Sequence, residues 1–272
     1  MPVAARDLAA RFLALHHGDA PFVIPNAWDA GSAKVFASIG AAAIATTSSG
    51  YAATLGRLDY DMTRAEALAH CRVMTEAVPI PVSADVENGF ADDPDAVAES
   101  VREAVNTGLC GLSIEDFTRD HEHPLYDLPL ASARIEAAAE AAHRDDMPVV
   151  LTARAEGALR GHGELDGLIT RLQAYQENGA DVLFAPGVTD LDDIATIVRN
   201  VDRPVNVILP PGATLAQLAD AGVRRVSVGG SLAFTALAAA ADAVRQLLQE
   251  GRGDFLAAAA EGRRVARTAF GD

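Results

Sequence analysis

Three successive apolar segments of the chain end in carboxylates, at the points where buried β-strands would end. Asp85 and Glu87 follow the run PVSA, Glu115 ends GLSIE, and Glu156 follows LTARA. Carboxylates brought close together cannot all stay ionised unless a cation lies among them. Oxygen ligands without His or Cys suit a hard cation, so the pattern predicts a Mg²⁺ or Mn²⁺ site. For any one of these acids, a helix N-cap or an ion pair with arginine is an equally good explanation.

Other polar side chains stand near the ends of neighbouring segments. Thr47 and Ser48 follow the run AAIAT, Arg154 ends PVVLTAR, Asn206 lies within PVNVIL, and Asp59 lies in the loop after TTSSG. Enzymes built on parallel barrels carry their chemistry at the carboxyl ends of the strands. These residues therefore join the acids as candidates for an active site.

Eight short β-branched runs alternate with longer amphipathic stretches along the chain. Strands that are apolar on both faces and alternate with helices indicate a parallel sheet, and eight such units close a (β/α)₈ barrel. An open doubly wound sheet would alternate in the same way, but no Gly-rich dinucleotide fingerprint follows the first run. The predicted strands are 22–25, 42–47, 81–85, 111–115, 148–154, 181–185, 204–209 and 225–230.

The remaining segments are predicted to be helical and to belong to the same α/β domain. Residues 1–17 form an extra leading helix, and 231–250 and 253–269 form two more helices after the last strand. We predict a single domain over 1–272, with the barrel at about 20–250 and a C-terminal helical extension at about 231–272. Four histidines fall in helical patterns and are predicted to be surface residues: His16, His17, His70 and His143.

The composition argues against several classes of function. A net charge of −16 disfavours nucleic acid, because neutralising phosphates requires clustered Lys and Arg. No apolar run of membrane-spanning length occurs, and Arg6, Asp7 and Arg11 exclude a signal-peptide core, so a cytoplasmic protein without membrane contact is expected. The only lysine, Lys34, lies in the first helical pattern, directly after PNAWDAGSA, which disfavours a Schiff-base mechanism.

Six motifs, in this order and spacing, closely resemble the isocitrate lyase/phosphoenolpyruvate mutase superfamily: PNAWDAGSA, TTSSG, GRLD, SADVENG, GLSIED and LTARAEG. The resemblance covers about residues 20 to 235. It implies a (β/α)₈ barrel in which helices near the C-terminus exchange between subunits, so a homotetramer or homodimer is expected. It also implies C–C or P–C bond chemistry next to a 2-oxo acid or its enolate, with Mg²⁺ or Mn²⁺ as the cofactor.

The resemblance also implies a role for each candidate metal residue. Asp85 resembles the direct metal ligand, and Asp59, Glu87 and Glu115 resemble the acids that hold the water molecules on the metal. Glu87 replaces the aspartate of the commoner form of this motif, so its side chain is one methylene longer. This arrangement agrees with the tendency of Mg²⁺ to keep several of its waters.

The substrate-binding residues follow from the same resemblance. Thr47 and Ser48 match the turn whose backbone N–H groups receive the substrate carboxylate or enolate oxygen. Arg154 matches the arginine that grips the anionic group of the substrate, and Asn206 lies where some members contact its distal end. The substrate would also chelate the metal beside Asp85.

The function that the resemblance implies is that of a metal-dependent lyase or decarboxylase. Its substrate would be a small 2-oxo or hydroxy di- or tricarboxylate, cleaved at the C–C bond next to the carbonyl through a metal-stabilised enolate. The alternatives are P–C bond chemistry, as a phosphonomutase or phosphonopyruvate hydrolase, and a non-catalytic barrel that binds a metabolite. The complete set of acids weighs against the non-catalytic alternative.

One loop departs from the pattern of the superfamily. In the isocitrate and methylisocitrate lyases, the loop after IED carries a Lys-Lys-Cys-Gly-His type motif, whose Cys serves as acid or base. Here the loop, 117–130, reads FTRDHEHPLYDLPL, without Cys, Lys or the Asn of the phosphonomutases. His121 and His123 remain as proton-transfer candidates, or as solvated residues of a lid. With Arg154 and Glu115, His123 is our candidate catalytic residue, and isocitrate cleavage is expected to be absent or marginal.

Overall fold

The structure, a computed structural model, describes residues 3–144 and 149–271. Its strands form one parallel sheet in the order β1-β9-β8-β7-β6-β5-β4-β3-β2. The strands are β1 (Phe22–Val23), β2 (Asn26–Ala27), β3 (Ile44–Thr46), β4 (Val82–Asp85), β5 (Gly111–Glu115), β6 (Val150–Arg154), β7 (Val182–Phe184), β8 (Val205–Ile208) and β9 (Arg225–Ser227).

The first predicted strand joins the two edges of this sheet. β1 pairs with β9 and β2 pairs with β3, and only Ile24 and Pro25 separate β1 from β2. Pro25 has no N–H to donate, yet its carbonyl accepts from Ala45 N at 3.0 Å, while Ile24 N donates to Val226 O at 2.8 Å. The nine segments thus occupy eight strand positions, as in a (β/α)₈ barrel, and the fold-class prediction holds for the α/β sheet.

The helices fall where the amphipathic stretches predicted them. Asp93 caps α5 (Pro94–Val105), which has Pro94 in its first turn, and the side chain of the cap accepts hydrogen bonds from the backbone N–H groups of Asp95 and Ala96. The start of the predicted strand 148–154, at Pro148, lies outside the described residues. The α-helices are α1 (Val3–Leu15), α2 (Ala30–Ser38), α3 (Ser48–Thr54), α4 (Arg64–Ala77), α5 (Pro94–Val105), α6 (Leu128–Ala142), α7 (Leu165–Glu177), α8 (Leu191–Arg199), α9 (Leu215–Asp220), α10 (Ser231–Arg245) and α11 (Leu256–Phe270).

The leading helix α1 packs against the amino ends of the strands. A Cβ on Gly111, the first residue of β5, would lie 2.6 Å from Phe12 Cε1, so glycine is required for this close approach. His16, which follows α1, is buried against Phe12 and Phe22. The prediction of a surface position was therefore wrong for His16, and also for His70, which is buried and stacked on Tyr51 with ring centroids 3.8 Å apart.

The C-terminal helices are the least buried part of the described chain. A π-helical turn, Gln246–Glu250, extends α10, and α11 returns to pack against α2. Of these helices only Ala233 is buried. By length and composition alone, the 20-residue segment Ser231–Glu250 could span a membrane, which is weak evidence taken by itself.

Candidate active site

A pocket of about 190 Å³ opens at the carboxyl ends of the strands and reaches down between them. Six of the predicted site residues line it: Thr47, Ser48, Asp59, Asp85, Arg154 and Asn206. Glu87 and Glu115 are buried beside it, and His123 lies on the exposed loop after β5. The structure therefore brings the metal and substrate candidates to one place, with His123 apart from them.

Asp85, the last residue of β4, is the centre of the polar contacts in this pocket. Its Oδ1 accepts from Arg154 Nη1 at 2.9 Å, and its Oδ2 accepts from the backbone N of Ser48 at 3.3 Å. Ser48 begins α3, and the side chain of Thr47 caps that helix by accepting from Gly50 N. A helix N-terminus favours negative charge, which suits either Asp85 or a substrate carboxylate.

Asp59 is coupled to Asp85 through a single hydroxyl group. Ser48 Oγ lies 2.9 Å from Asp59 Oδ1 and 2.9 Å from Asp85 Oδ2. One hydroxyl has one proton, so it donates to only one of the two carboxylates at a time. Burial, and then the charge of Asp85, raise the pKa of Asp59. A proton or a cation at this position would relieve the repulsion between the two acids.

Arg154, at the end of β6, is shared among three carboxylates. Besides Asp85, its Nη2 lies 2.9 Å from Glu115 Oε2 and 2.8 Å from Glu156 Oε1. Burial disfavours its charge, but the carboxylates of Glu115, Glu156 and Asp85 outweigh this and raise its pKa well above the ordinary value. The arginine is thus a charged fork at the pocket wall, already occupied by acids of its own chain.

Two buried glutamates keep oxygen atoms without a well-aligned hydrogen-bond donor among the described residues. These atoms are both Oε of Glu115 and Oε1 of Glu87; the contact of Glu115 with Arg154 is close but poorly aligned for a hydrogen bond. Burial raises the pKa of Glu115 well above its usual range and that of Glu87 to about 8, although Arg119 pairs with Glu87 and opposes the shift. Unpartnered buried carboxylate oxygens are costly and need a proton, water or cation.

Strained backbone conformations cluster in the loops around these acids. Among non-glycine residues, Tyr60 (φ 66°), Glu87 (φ 52°), Phe90 (φ 58°) and Arg119 (φ 69°) have left-handed backbone angles. Such conformations cost about 1–3 kcal/mol each and concentrate at functional sites. Glu87 and Arg119 are the two partners of one ion pair, so both ends of this contact are held by strained loops.

Two polar residues near the pocket serve the structure of the loops. Asp116 is buried and accepts from Tyr175 OH at 2.6 Å, from Arg171 Nη1 at 3.1 Å and from the backbone of Glu156 at 2.8 Å. Tyr126 is buried, and its hydroxyl accepts from Asn88 Nδ2 at 3.1 Å and donates to an oxygen of Asp92. The contacts of Tyr126 fasten the returning end of the loop 117–130 to the loop after β4, and those of Asp116 join the end of β5 to α7 and to the loop after β6.

The proton-transfer candidate His123 lies on the outer part of that loop. Its side chain is exposed, and its carbonyl accepts from Thr118 Oγ1 at 2.6 Å. The neighbouring His121 packs near Phe117, with ring centroids 5.8 Å apart. His123 is not among the residues that line the pocket, so it would reach the pocket only if the loop moved.

The floor of the pocket contains a residue that the sequence patterns did not identify. Arg225 is buried and lines the pocket at the start of β9. Its Nε donates to Asn206 Oδ1 at 2.7 Å, and Asn206 Nδ2 donates to Ser227 Oγ at 3.0 Å. The sequence signal for Arg225 was a charged residue in a mainly apolar strand. This signal was ambiguous, because Arg225 is the first residue of the strand, where a solvent-exposed residue is usual.

The oxygen-rich side of the pocket fits a hard divalent cation. Its donors are carboxylates, and the unpartnered oxygens of Glu115 and Glu87 are acceptors that water molecules on a cation could satisfy. No group of three or more His, Cys, Asp or Glu in 3–144 and 149–271 is arranged to hold a metal ion directly. Asp85, at the centre of these contacts, is the residue that could hold such an ion.

A parallel barrel with an acid-rich pocket at the carboxyl ends of its strands is the arrangement of an α/β-barrel enzyme. The family model described as phosphoenolpyruvate phosphomutase matches residues 12–248. The chain therefore belongs to the phosphoenolpyruvate phosphomutase family, within the isocitrate lyase/PEP mutase superfamily of lyases and mutases, as the sequence motifs predicted.

Individual relatives cover nearly the whole chain. A Burkholderia cenocepacia J2315 protein, provisionally assigned as a lyase/mutase, has a structure 44 % identical, with a TM-score of 0.94 over 98 % of this chain and 96 % of that one. The structure of 2,3-dimethylmalate lyase is 27 % identical, with a TM-score of 0.82 over 93 % and 90 %. Oxaloacetate decarboxylase of Pseudomonas savastanoi pv. phaseolicola is 29 % identical over 92 % of this chain and 88 % of its own.

Proposed function

We propose that this protein is a Mg²⁺- or Mn²⁺-dependent lyase or decarboxylase of small 2-oxo or hydroxy di- or tricarboxylates. The bond cleaved is the C–C bond next to the carbonyl carbon of a 2-oxo acid, or next to the hydroxyl-bearing carbon of a hydroxy acid. The names of two relatives, oxaloacetate decarboxylase and 2,3-dimethylmalate lyase, support C–C cleavage of an organic acid. The chemistry of the pocket supports the dependence on a divalent cation.

The observation that carries this proposal is the balance of charge around Asp85. Five carboxylates surround the pocket mouth: Asp59, Asp85, Glu87, Glu115 and Glu156. Three guanidinium groups contact them, those of Arg119, Arg154 and Arg160. If all were ionised, two negative charges would remain in excess. Burial opposes this by raising the pKa of Glu87 and of Glu115, so the excess must be balanced by protons or by one divalent cation.

The residues of this chain would bind and orient the substrate on either side of Asp85. Ser48, at the N-terminus of α3, offers a backbone N–H to a carboxylate or to the oxygen that gains charge during cleavage. Arg154 would give up one of its own carboxylate partners and grip the substrate carboxylate with its fork. A bound cation would supply Lewis-acid stabilisation of the developing negative charge.

A substrate panel tests this proposal directly. The purified protein is assayed with oxaloacetate, 2,3-dimethylmalate, 2-methylisocitrate and phosphonopyruvate, each with Mg²⁺, with Mn²⁺ and with EDTA. We expect metal-dependent turnover of at least one C–C substrate and none in EDTA. Turnover that EDTA does not affect would contradict the metal assignment, and turnover of phosphonopyruvate alone would contradict the C–C assignment.

P–C bond chemistry is the second candidate, because the matching family model is that of a phosphomutase. Against it, the loop 117–130 has neither the Lys nor the Asn that phosphonomutases use there. Products separate the two candidates: phosphoenolpyruvate or inorganic phosphate released from phosphonopyruvate supports P–C chemistry, whereas pyruvate from oxaloacetate supports decarboxylation.

The C-terminal helices support a second part of the proposal, an assembly in which these helices pack on another copy of the chain. Along α10 and its π-helical extension, large apolar side chains are exposed: Phe234, Leu237, Val244, Leu247 and Leu248. Exposed apolar surface of this extent on one helix is typical of an interface between proteins. A homotetramer or homodimer with exchanged helices would bury it.

A further inference from the structure

The floor of the pocket holds a buried guanidinium that faces no carboxylate among the described residues. Arg225 is 5 % exposed, and desolvation lowers its pKa to about 9, with no nearby charge opposing this shift. Its three hydrogen-bond partners are side chains: Asn206 Oδ1 at 2.7 Å, Thr152 Oγ1 at 3.0 Å and His16 Nε2 at 3.3 Å. Asn206 and Thr152 are neutral, so only His16 could carry a charge.

The ring of His16 carries no charge, and protonation would make it a cation, which could not balance Arg225. Burial, reinforced by Arg225, lowers the pKa of His16 to about 3, so its ring is neutral near pH 7. Its Nδ1 lies 2.9 Å from Phe12 O, a carbonyl that only accepts, so Nδ1 carries the proton and Nε2 accepts from Arg225. All three partners of Arg225 are therefore uncharged.

Two other buried arginines show why this arrangement is unusual. Arg154 is balanced by three carboxylates. Arg134 donates to the backbone carbonyls of Glu115, Asn88 and Ala91 and does not line the pocket, so it fastens loops. Arg225 alone of the three lines the pocket without an acid beside it. Burying an uncompensated charge is costly, and an anion that enters the pocket would offset that cost.

The guanidinium also has hydrogen-bonding capacity to spare. It has five N–H groups, and its contacts with Asn206, Thr152 and His16 use three of them, one on each nitrogen. One N–H on Nη1 and one on Nη2 are left, and two such donors match the two oxygens of a carboxylate. Asn206 and Ser227, which also line the floor, supply further polar contacts.

We propose that Arg225 binds the second carboxylate of a dicarboxylate substrate, at the floor of the pocket below the acid-rich mouth around Asp85. The inference rests on the proposed function for the other end of the substrate, where Ser48, Arg154 and a cation would hold the first carboxylate. The pocket then selects di- and tricarboxylates over monocarboxylic 2-oxo and hydroxy acids, because only these carry an anion to Arg225.

A matched pair of ligands tests this selectivity in the unmodified protein. Malate and 2-hydroxybutyrate differ only in that the second carboxylate of malate is a methyl group in 2-hydroxybutyrate. Titration calorimetry with Mg²⁺ is expected to give about 10–100-fold tighter binding of malate, the range for hydrogen bonds to a charged group. Equal affinities would overturn the proposal. Tighter binding of phosphonopyruvate than of malate would assign the floor to a phosphonate and overturn the carboxylate assignment.

Variants then tie the selectivity to this residue. Arg225→Met should bring the affinity for malate down to that for 2-hydroxybutyrate, while oxalate, which has no distal carboxylate, should keep its affinity within about twofold. Arg224→Met is the control, because it removes the same charge from the adjacent residue, which bonds to Asp19 O outside the pocket. If Arg225→Met does not fold, Arg225→Lys takes its place, with a smaller loss for malate expected. Full malate selectivity in a folded Arg225 variant would contradict the proposal.

The same titrations separate this inference from the proposed function. If malate is preferred over 2-hydroxybutyrate equally with Mg²⁺ and with EDTA, the assignment of Arg225 stands and the metal-dependent function fails. If Mg²⁺ strengthens the binding of oxalate but malate and 2-hydroxybutyrate bind equally, the metal site stands and the assignment of Arg225 fails.

Discussion

Arg154 Nη1 lies 2.9 Å from Asp85 Oδ1, although β5 separates the strands β6 and β4 that carry them. The contact crosses the mouth of the pocket and joins the residue proposed to hold the cation to the residue proposed to hold the substrate. A ligand that enters must therefore exchange with this ion pair. The pair keeps both side chains at the mouth of the pocket until a ligand takes over one of these contacts.

Asp85→Asn should abolish metal-dependent turnover. The amide keeps the size of the side chain but loses the negative charge that would bind a cation, and it leaves Arg154 with two of its three acids. Activity is measured across a Mg²⁺ titration, and we expect nearly complete loss at every concentration. Asp59→Ala and Glu115→Ala should be milder, about 10–100-fold, because they would act through water molecules on the cation.

Asp61→Asn is the matched control for Asp85→Asn. Asp61 lies two residues from Asp59 in the same loop, and its side chain is exposed. Its substitution removes the same charge and should leave the Mg²⁺ titration unchanged. A normal titration in Asp85→Asn, or an equal loss in Asp61→Asn, would contradict the role given to Asp85.

Arg154→Lys should lower kcat/KM by about 10²-fold or more. One ammonium group cannot contact three carboxylates and a substrate in the planar geometry of the fork, and a displacement of about 1 Å costs rate on this scale. The comparison is Arg171→Lys, since Arg171 pairs with the buried Asp116 away from the pocket. That variant should lose melting temperature and keep its kcat/KM. The reverse pattern would make Arg154 a structural residue only.

Much of the barrel and of the acid-rich mouth could be predicted because local patterns encode them. Each β-branched run became a strand, and the acids after three of them meet because parallel strands end on one side of the sheet. The contact between His16 and Arg225 could not be predicted, since it joins residues 209 positions apart. His16 follows an amphipathic helix, and no pattern in the nearby sequence indicates that this helix covers the amino ends of the strands.

The buried histidine His70 gives a pH dependence of stability. Burial lowers its pKa from 6.5 to about 4, so the unfolded chain binds a proton between these pH values that the folded chain does not. The contribution of His70 to stability is therefore constant above about pH 6.5 and falls as the pH drops towards 4, by at most about 1.4 kcal/mol per pH unit. His70→Gln keeps a donor for Trp28 O and should make the curve less steep over this window.

Denaturant unfolding at several pH values measures this effect. His17→Gln is the control, because His17 is exposed and its loss should leave the steepness as it is. If the stability of His70→Gln fell as steeply with pH as that of the wild type, His70 would have to be protonated in the folded protein. That result would contradict the lowering of its pKa by burial.

The exposed helix α10 predicts a change of oligomeric state on substitution. Leu237→Arg and Leu248→Arg place charge on its apolar surface and should dissociate the proposed assembly into smaller species in light scattering. Ile39→Arg, at an exposed apolar residue after α2, is the control and should leave the mass unchanged. A wild-type protein that is monomeric at micromolar concentration would contradict the proposed exchange of helices.

The loop 117–130 carries the last prediction, which concerns the proton. His123 is exposed. Two contacts hold its loop beside the mouth of the pocket: Thr118 Oγ1 donates to the carbonyl of His123 at 2.6 Å, and Arg119 pairs with Glu87. If the loop closes over a bound substrate and His123 is the acid or base, His123→Ala should lower kcat and remove one limb of the pH–rate profile near neutrality. His121→Ala, two residues away on the same loop, should keep both limbs. Unchanged kinetics in His123→Ala would leave water as the proton carrier.

Because the loop has no Cys, isocitrate cleavage by the wild type should be absent or marginal, and efficient cleavage would show that another group supplies the proton.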